Sequence, residues 1–274
     1  MLPKRPFGST GIDLSILGLG TVKLGRDQGV KYPHNFTIPN DREAANLIAL
    51  SQDLGINLID TAPAYGNSEE RLGKLLKGQR EKWIICSKVG EEFQSGHSYF
   101  DFSPEHTNFS IERSLKRLNT DRIDIVLVHS DGNDEKIIQE YGTLEALAQL
   151  KAEGKIRAFG MSTKTAKGGL LAAKQSDAVM VTWNLQHEEE VSVIDYCEAH
   201  NKGVLIKKAL ASGHSTQATN QDPVKQSFEM IFDHPGVSSA IVGTINPEHL
   251  RDNVAKAIKA QAISAGTKKQ DALR

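Results

Sequence analysis

Short apolar runs recur along the chain at regular intervals: Ile16 to Gly20, Ile56 to Asp60, Trp83 to Lys88, Ile123 to His129, Ile156 to Met161, Ala178 to Val181, Gly203 to Lys207 and Val237 to Val242. Their β-branched content and polar borders make them eight strand candidates. Between them lie stretches of helical period with start signals, among them Asp41 ahead of Glu43 to Leu54, Ser68 ahead of Glu69 to Leu76, and Ser103-Pro104-Glu105 ahead of a segment reaching Leu118. Strict alternation of strand and helix implies parallel strands joined by crossovers. Eight such units in 274 residues predict an α/β fold, a closed (β/α)8 TIM barrel, although the period by itself also admits an open doubly wound sheet. Ahead of the first unit, alternation around Gly8-Ser9-Thr10-Gly11 predicts a β-hairpin cap over residues 1–15. No linker or shift in composition divides the chain. A single domain over residues 1–274 is expected, with 261–274 as a polar C-terminal tail.

Composition narrows the function classes. Lys and Arg number 33 against 34 Asp and Glu, a formal charge of −1, which argues against a nucleic-acid partner. No apolar run approaches the roughly 18 to 20 residues that cross a bilayer. Met1-Leu2-Pro3-Lys4-Arg5 leads into Pro6 and Gly8 without an apolar signal core. Neither a membrane nor export is expected. The two cysteines, Cys86 and Cys197, have no metal-ligand spacing and form no disulfide framework. The expectation is a metal-free cytoplasmic protein, a monomer or weak homo-oligomer, acting on a small molecule.

Several motifs fail on inspection. Gly18-Leu19-Gly20 opens like a dinucleotide fingerprint, but Lys23 stands where the third glycine belongs. Gly73-Lys74 and Gly154-Lys155 lack the Ser or Thr of a P-loop. Asn108-Phe109-Ser110 fits a glycosylation sequon inside a predicted helix. Glu188-Glu189-Glu190 opens another predicted helix and reads as a solvated first turn. Cys86 reads as a small core residue.

Chemistry in a barrel of this kind gathers at the carboxyl ends of the strands. Asp60, Lys88 and His129 end the second, third and fourth strand candidates. Each alone has a structural reading: a cap, a snorkelling amine, a core imidazole. Together they offer an acid and a base at neighbouring strand ends, with Tyr65 five residues beyond Asp60. A phenol with an ordinary pKa of about 10 becomes a better proton donor when an ammonium stabilises its anion.

The run Gly55-Ile56-Asn57-Leu58-Ile59-Asp60-Thr61-Ala62-Pro63-Ala64-Tyr65-Gly66 closely resembles the first signature of the aldo-keto reductases. Ser114-Leu115-Lys116-Arg117-Leu118-Asn119-Thr120-Asp121-Arg122-Ile123-Asp124-Ile125-Val126-Leu127-Val128-His129 and Gly154-Lys155-Ile156-Arg157-Ala158-Phe159-Gly160-Met161-Ser162 resemble later segments of that family. The similarity extends from Gly18 to about Asn253. It implies a barrel enzyme that binds an extended nicotinamide cofactor and transfers hydride to an aldehyde or ketone. The implied catalytic residues are Tyr65 as proton donor, Lys88 lowering the Tyr65 pKa, Asp60 holding Lys88, and His129 orienting the carbonyl.

The resemblance also implies a cofactor site with departures. Gly20, Thr21, Asp60 and Ser162 match the family, but Thr163 stands in the usual Asn place and Met180 in the usual Gln place. Leaving a buried carboxamide group unpaired costs about 1 to 3 kcal/mol. Lys207 replaces the aromatic residue that stacks on the ring; it reads as a snorkelling side chain or as a cation near pyrophosphate or an acidic substrate. Gly243, Thr244, His249 and Asn253 match the adenosine end, with His249 where many members carry Arg and Gly243 where some carry Lys. NADPH is the expected cofactor, with NADH left open. Lys23, Phe93, Tyr99 and Trp183 are the expected pocket lining. A short loop over Ala211 to Asp222 suggests an open site for small carbonyls. Two other readings stand beside the reductase: a nicotinamide-binding or sensing protein with little turnover, and a barrel enzyme forming a Schiff base through Lys88.

Overall fold

The computed structural model describes residues 2–30, 32–213 and 222–271. Its strands are β1 (Lys4–Pro6), β2 (Asp13–Ser15), β3 (Leu17–Gly20), β4 (Leu58–Asp60), β5 (Ile84–Val89), β6 (Glu91–Gln94), β7 (His97–Phe100), β8 (Ile123–His129), β9 (Ile156–Ser162), β10 (Ala178–Thr182), β11 (Gly203–Lys207) and β12 (Ser239–Val242). The helices are α1 (Val22–Gly25), α2 (Asp41–Asp53), α3 (Ser68–Leu75), α4 (Pro104–Leu118), α5 (Asp134–Glu140), α6 (Thr143–Ala152), α7 (Ala166–Gln175), α8 (Val191–Ala199), α9 (Pro223–Asp233) and α10 (Pro247–Asp271). Polar caps set several helix starts: Asn40 and Glu43 form a reciprocal capping box on α2, and Ser103 accepts from the His106 amide on α4.

β3, β4, β5, β8, β9, β10, β11 and β12 form a closed barrel of parallel neighbours, with β12 returning to β3 through Ala240↔Leu17 and Val242↔Leu19. The open sheet is thereby excluded. Side chains alternate along each strand. Leu58, Cys86, Ile125, Leu127, Ala158, Ala178, Met180 and Leu205 fill the interior together with Phe7, Ile12 and Leu14 from the β1–β2 hairpin. The hairpin therefore plugs the amino-terminal end of the barrel. Gly203 makes room for the plug, since a Cβ there would lie 2.5 Å from the Phe7 ring. Leu19, Ile59, Ile85, Val126, Phe159, Val179 and Ile206 face outward under the helices, in the layer that also holds both tryptophans, Trp83 and Trp183.

The antiparallel pair β6–β7 follows β5 directly and was not predicted. α10 continues to Asp271, so most of the stretch expected as a tail is helical. Most of the loop expected over Ala211 to Asp222 lies outside the described residues.

Candidate active site

Continuing the alternation of each strand by one more inward position yields a ring at the carboxyl ends: Gly20, Asp60, Lys88, His129, Ser162, Thr182, Lys207 and Gly243. The parallel register aligns His129 with Ser162 and Thr182 with Lys207. Lys88 Nζ donates to Asp60 Oδ1 at 2.6 Å and to the Thr61 carbonyl at 2.9 Å. Its ammonium lies 4.8 Å from the centre of the Tyr65 ring, which meets His129 edge-on at 6.2 Å. The turn bearing Tyr65 is anchored beneath: Thr21 Oγ1 donates to the Asp60 carbonyl at 2.9 Å, and Ser68 Oγ donates to Thr21 Oγ1 at 2.8 Å. The four residues expected to act together are thus brought together.

Their electrostatics correct one expectation. Burial raises the Tyr65 phenol, Asp60 and Tyr32 push the same way, and the opposing pull of Lys88 does not offset them. The net shift is upward, not downward. Burial disfavours the Lys88 ammonium, but Asp60 and Tyr65 outweigh it and hold Lys88 above the ordinary lysine value. The resting pair is a neutral phenol beside a fixed cation.

Sequence reasoning missed Glu91. Its Oε2 lies 2.7 Å from His129 Nδ1, and its Oε1 accepts from Ser98 Oγ at 2.6 Å. Only the Gly90 break after β5 hinted that the chain turns back toward the barrel there.

On the other side of the ring Lys207 neither snorkels nor stands free. Nζ donates to Ser162 Oγ at 2.9 Å and to the Thr163 carbonyl at 2.5 Å. Burial lowers its pKa to about 8 against the attraction of Glu190, with Lys208 adding repulsion. Glu190 is no solvated first-turn residue: it is 4% exposed, accepts from the Thr182 amide at 2.8 Å and from Thr163 Oγ1 at 3.1 Å. Glu188 and Glu189 are exposed as expected. The hydroxyl of Thr163, which stands in the usual Asn place, is therefore already engaged. Met180 lies one inward layer below Thr182 and is 2% exposed; its thioether belongs to the interior core.

At the far end Gly243 and His249 are exposed, Thr244 is half-buried and Asn253 is buried. His249 and Asn253 are four apart on α10 and share a face, whereas Arg251 turns to Glu248 at 3.7 Å. Of the expected pocket lining, Lys23 lies 4.1 Å from the Tyr32 ring centre and Phe93 carries the Arg26 guanidinium at 3.5 Å. Trp183 and Tyr99 do not line the mouth. Trp183 follows the outward parity of Val179 and Val181 and packs edge-on to His234 at 5.6 Å. Tyr99 pairs with Glu92, so it shares the face from which Glu92 meets His106 and Arg113 of α4, opposite to Glu91.

These residues fit a nicotinamide dinucleotide. Gly20 and Gly243, on the adjacent strands β3 and β12, leave a gap in the ring beside Asp60; a Cβ on Gly20 would come 3.0 Å from Ile241. Ser162 and Lys207 supply polar groups on one side of that gap, and the amino-terminal end of α10 follows on the other.

Residues 16–230 match the model of the Aldo/keto reductase family. YqkF of Bacillus subtilis, an uncharacterized oxidoreductase, is 26% identical over 92% of this chain and 90% of its own. The NADH-specific methylglyoxal reductase of Escherichia coli is 35% identical over 81% of this chain and 72% of its own. A solved Pseudomonas aeruginosa chain assigned as an aldo-keto reductase superposes with a TM-score of 0.86 at 60% identity, covering 94% of both chains.

Proposed function

Because the chain belongs to the aldo/keto reductase family, we propose that it reduces aldehydes or ketones to alcohols with a nicotinamide cofactor, Tyr65 being the proton donor. The observation carrying this reading is the convergence of Asp60, Lys88, Tyr65 and His129 at one end of the barrel. A bound reduced nicotinamide supplies hydride for the carbonyl carbon. Tyr65 gives its phenolic proton to the carbonyl oxygen and is left as phenolate, which takes a proton back from solvent. Lys88 stabilises that phenolate as a cation already in place, and Asp60 keeps Lys88 oriented. An amine held this firmly as ammonium is a poor nucleophile, which speaks against the Schiff-base reading.

Gly20, Thr21, Asp60, Ser162, Lys207, Gly243, Thr244, His249 and Asn253 would hold the cofactor, with Thr163 and Met180 supporting from beneath. Lys207 offers an N–H where the family's amides are missing. NADPH is the proposed cofactor, and NADH is the comparison the Escherichia coli relative calls for. That relative also supports small carbonyl substrates.

The test is titration with NADPH and NADH, followed by loss of reduced-cofactor absorbance on adding a reactive aromatic aldehyde. Tyr65→Phe is expected to cut turnover by at least about a hundredfold while leaving cofactor affinity unchanged. Retained turnover would remove Tyr65 from its role. Tight binding without turnover in the wild type would favour the sensing reading.

A further inference from the structure

Lys88 and Lys207 both stand in the inward ring at the carboxyl ends of the strands, but their amines are held differently. Lys88 Nζ is closed off by Asp60 Oδ1 at 2.6 Å. Lys207 Nζ spends two N–H groups on neutral acceptors, Ser162 Oγ at 2.9 Å and the Thr163 carbonyl at 2.5 Å. Among the described residues no carboxylate forms an ion pair with it: Glu190 is turned instead to the Thr182 amide and Thr163 Oγ1. A tetrahedral nitrogen bonded to Cε and holding those two contacts has one position left, an N–H in the ammonium or a lone pair in the amine. Lys207 is half-buried, not sealed. Ser162 lies across the parallel register from His129, which puts the amine on the His129 side of the mouth.

We propose that Lys207 is an imine-forming site for aldehydes, open in the cofactor-free chain and shut by a bound nicotinamide. The shutting rests on the reductase reading above; the imine does not. The amine lone pair forms a C–N bond to the aldehyde carbon while the carbonyl oxygen takes a proton and the nitrogen gives one up. The carbinolamine then sheds its hydroxyl, with the remaining N–H proton, as water, and the C=N bond forms. Amine and aldehyde become imine and water, with nothing oxidised or reduced. Ser162 Oγ accepts from Nζ and keeps its own O–H for the carbonyl oxygen. A nicotinamide held beside Ser162 and Lys207 covers the same amine. An aldehyde arriving first therefore blocks the cofactor, whereas a cofactor arriving first leaves the aldehyde to Tyr65.

The charges facing Lys207 come from several elements. Burial lowers its pKa, Glu190 ahead of α8 and Asp134 of α5 oppose that, and Lys208 beside it and Lys164 after β9 reinforce it. Asp134 is itself engaged by the Ser130 hydroxyl, the Lys164 and Thr165 amides and the Thr165 hydroxyl. His129 of β8 feels the Lys207 charge in turn. The balance sets Lys207 at about 8, so part of it is free amine near neutral pH, the form in which a lysine attacks a carbonyl. The missing counter-charge and the vacant tetrahedral position thus agree.

The test incubates the full chain with benzaldehyde and cyanoborohydride, which fixes an imine as a secondary amine. The adduct is mapped by fragmentation of its peptides, so that Lys207 is told from Lys208. Near neutral pH Lys207 is expected to be labelled at least about tenfold faster than any other lysine, Lys88 included, and faster still as pH passes 8. Lys207→Met should remove this adduct and leave only the slow labelling of surface lysines. Saturating NADPH should slow the Lys207 adduct at least about tenfold. Labelling spread evenly over the surface lysines, or confined to Lys88 or the Met1 amine, overturns the proposal, as does labelling of Lys207 that bound cofactor leaves undiminished. The wild-type map needs no variant to fold. Absence of binding of both NADPH and NADH would sink the reductase reading while the mapped position still decides the imine.

Discussion

Lys207 shows how one side chain can be set against the stability of its own fold. Its pKa of about 8 lies below the ordinary 10.5, so between those values the unfolded chain holds a proton that the folded chain has released. Stability then rises with pH through that window, and below it the buried ammonium is a cost. Lys207→Met is accordingly expected to raise Tm at neutral pH by roughly a few degrees, checked by thermal denaturation. The same change removes the donor offered beside Ser162. NADPH affinity at pH 7 is expected to fall about tenfold, and its weakening through pH 8 should disappear, both read by equilibrium titration. Glu190, which anchors this corner, shows where sequence reading stops at the residue scale. Three adjacent glutamates look alike until packing buries one of them beside Thr163.

At the scale of elements, the barrel and its four converging residues were legible because two periods sufficed. Runs of apolar residues gave the strands, and counting in twos from Leu58, Cys86 and Leu127 gives Asp60, Lys88 and His129 a common inward face. The same count from Val179 and Val181 turns Trp183 outward, away from the pocket lining expected of it. The β6–β7 hairpin was illegible for a different reason. Glu91 to Gln94 and His97 to Phe100 lack an apolar alternation, and the pair is held by its ladder and by Glu92 bridging to His106 and Arg113 on α4. Hence Glu91 could not be located, nor Tyr99 assigned to the opposite face. The β1–β2 plug yields its own expectation: Gly203→Val drives a side chain into the Phe7 ring and should lower stability by about 1 to 3 kcal/mol. Denaturant unfolding checks this, and the four residues at the opposite end should keep their geometry.

For the molecule as a whole, acid stability should follow the mouth of the barrel. The Glu91 carboxyl titrates at about 2 when folded against an ordinary 4.5, so its contribution is complete above the unfolded value and is lost as pH falls toward 2. The unfolding midpoint in urea is expected to drop between pH 5 and pH 3 in the wild type and to drop less in Glu91→Gln. The closed ring thus gathers Asp60, Tyr65, Lys88 and His129 at one end and places the plug at the other, with the helical shell around both. That separation has an optical consequence. Trp83 and Trp183 are both seated under the helices, so their emission reports whether the shell is closed and is blind to a ligand's direct touch at the mouth. A reduced nicotinamide would be seen by these indoles through energy transfer, as blue light gained while indole light is lost.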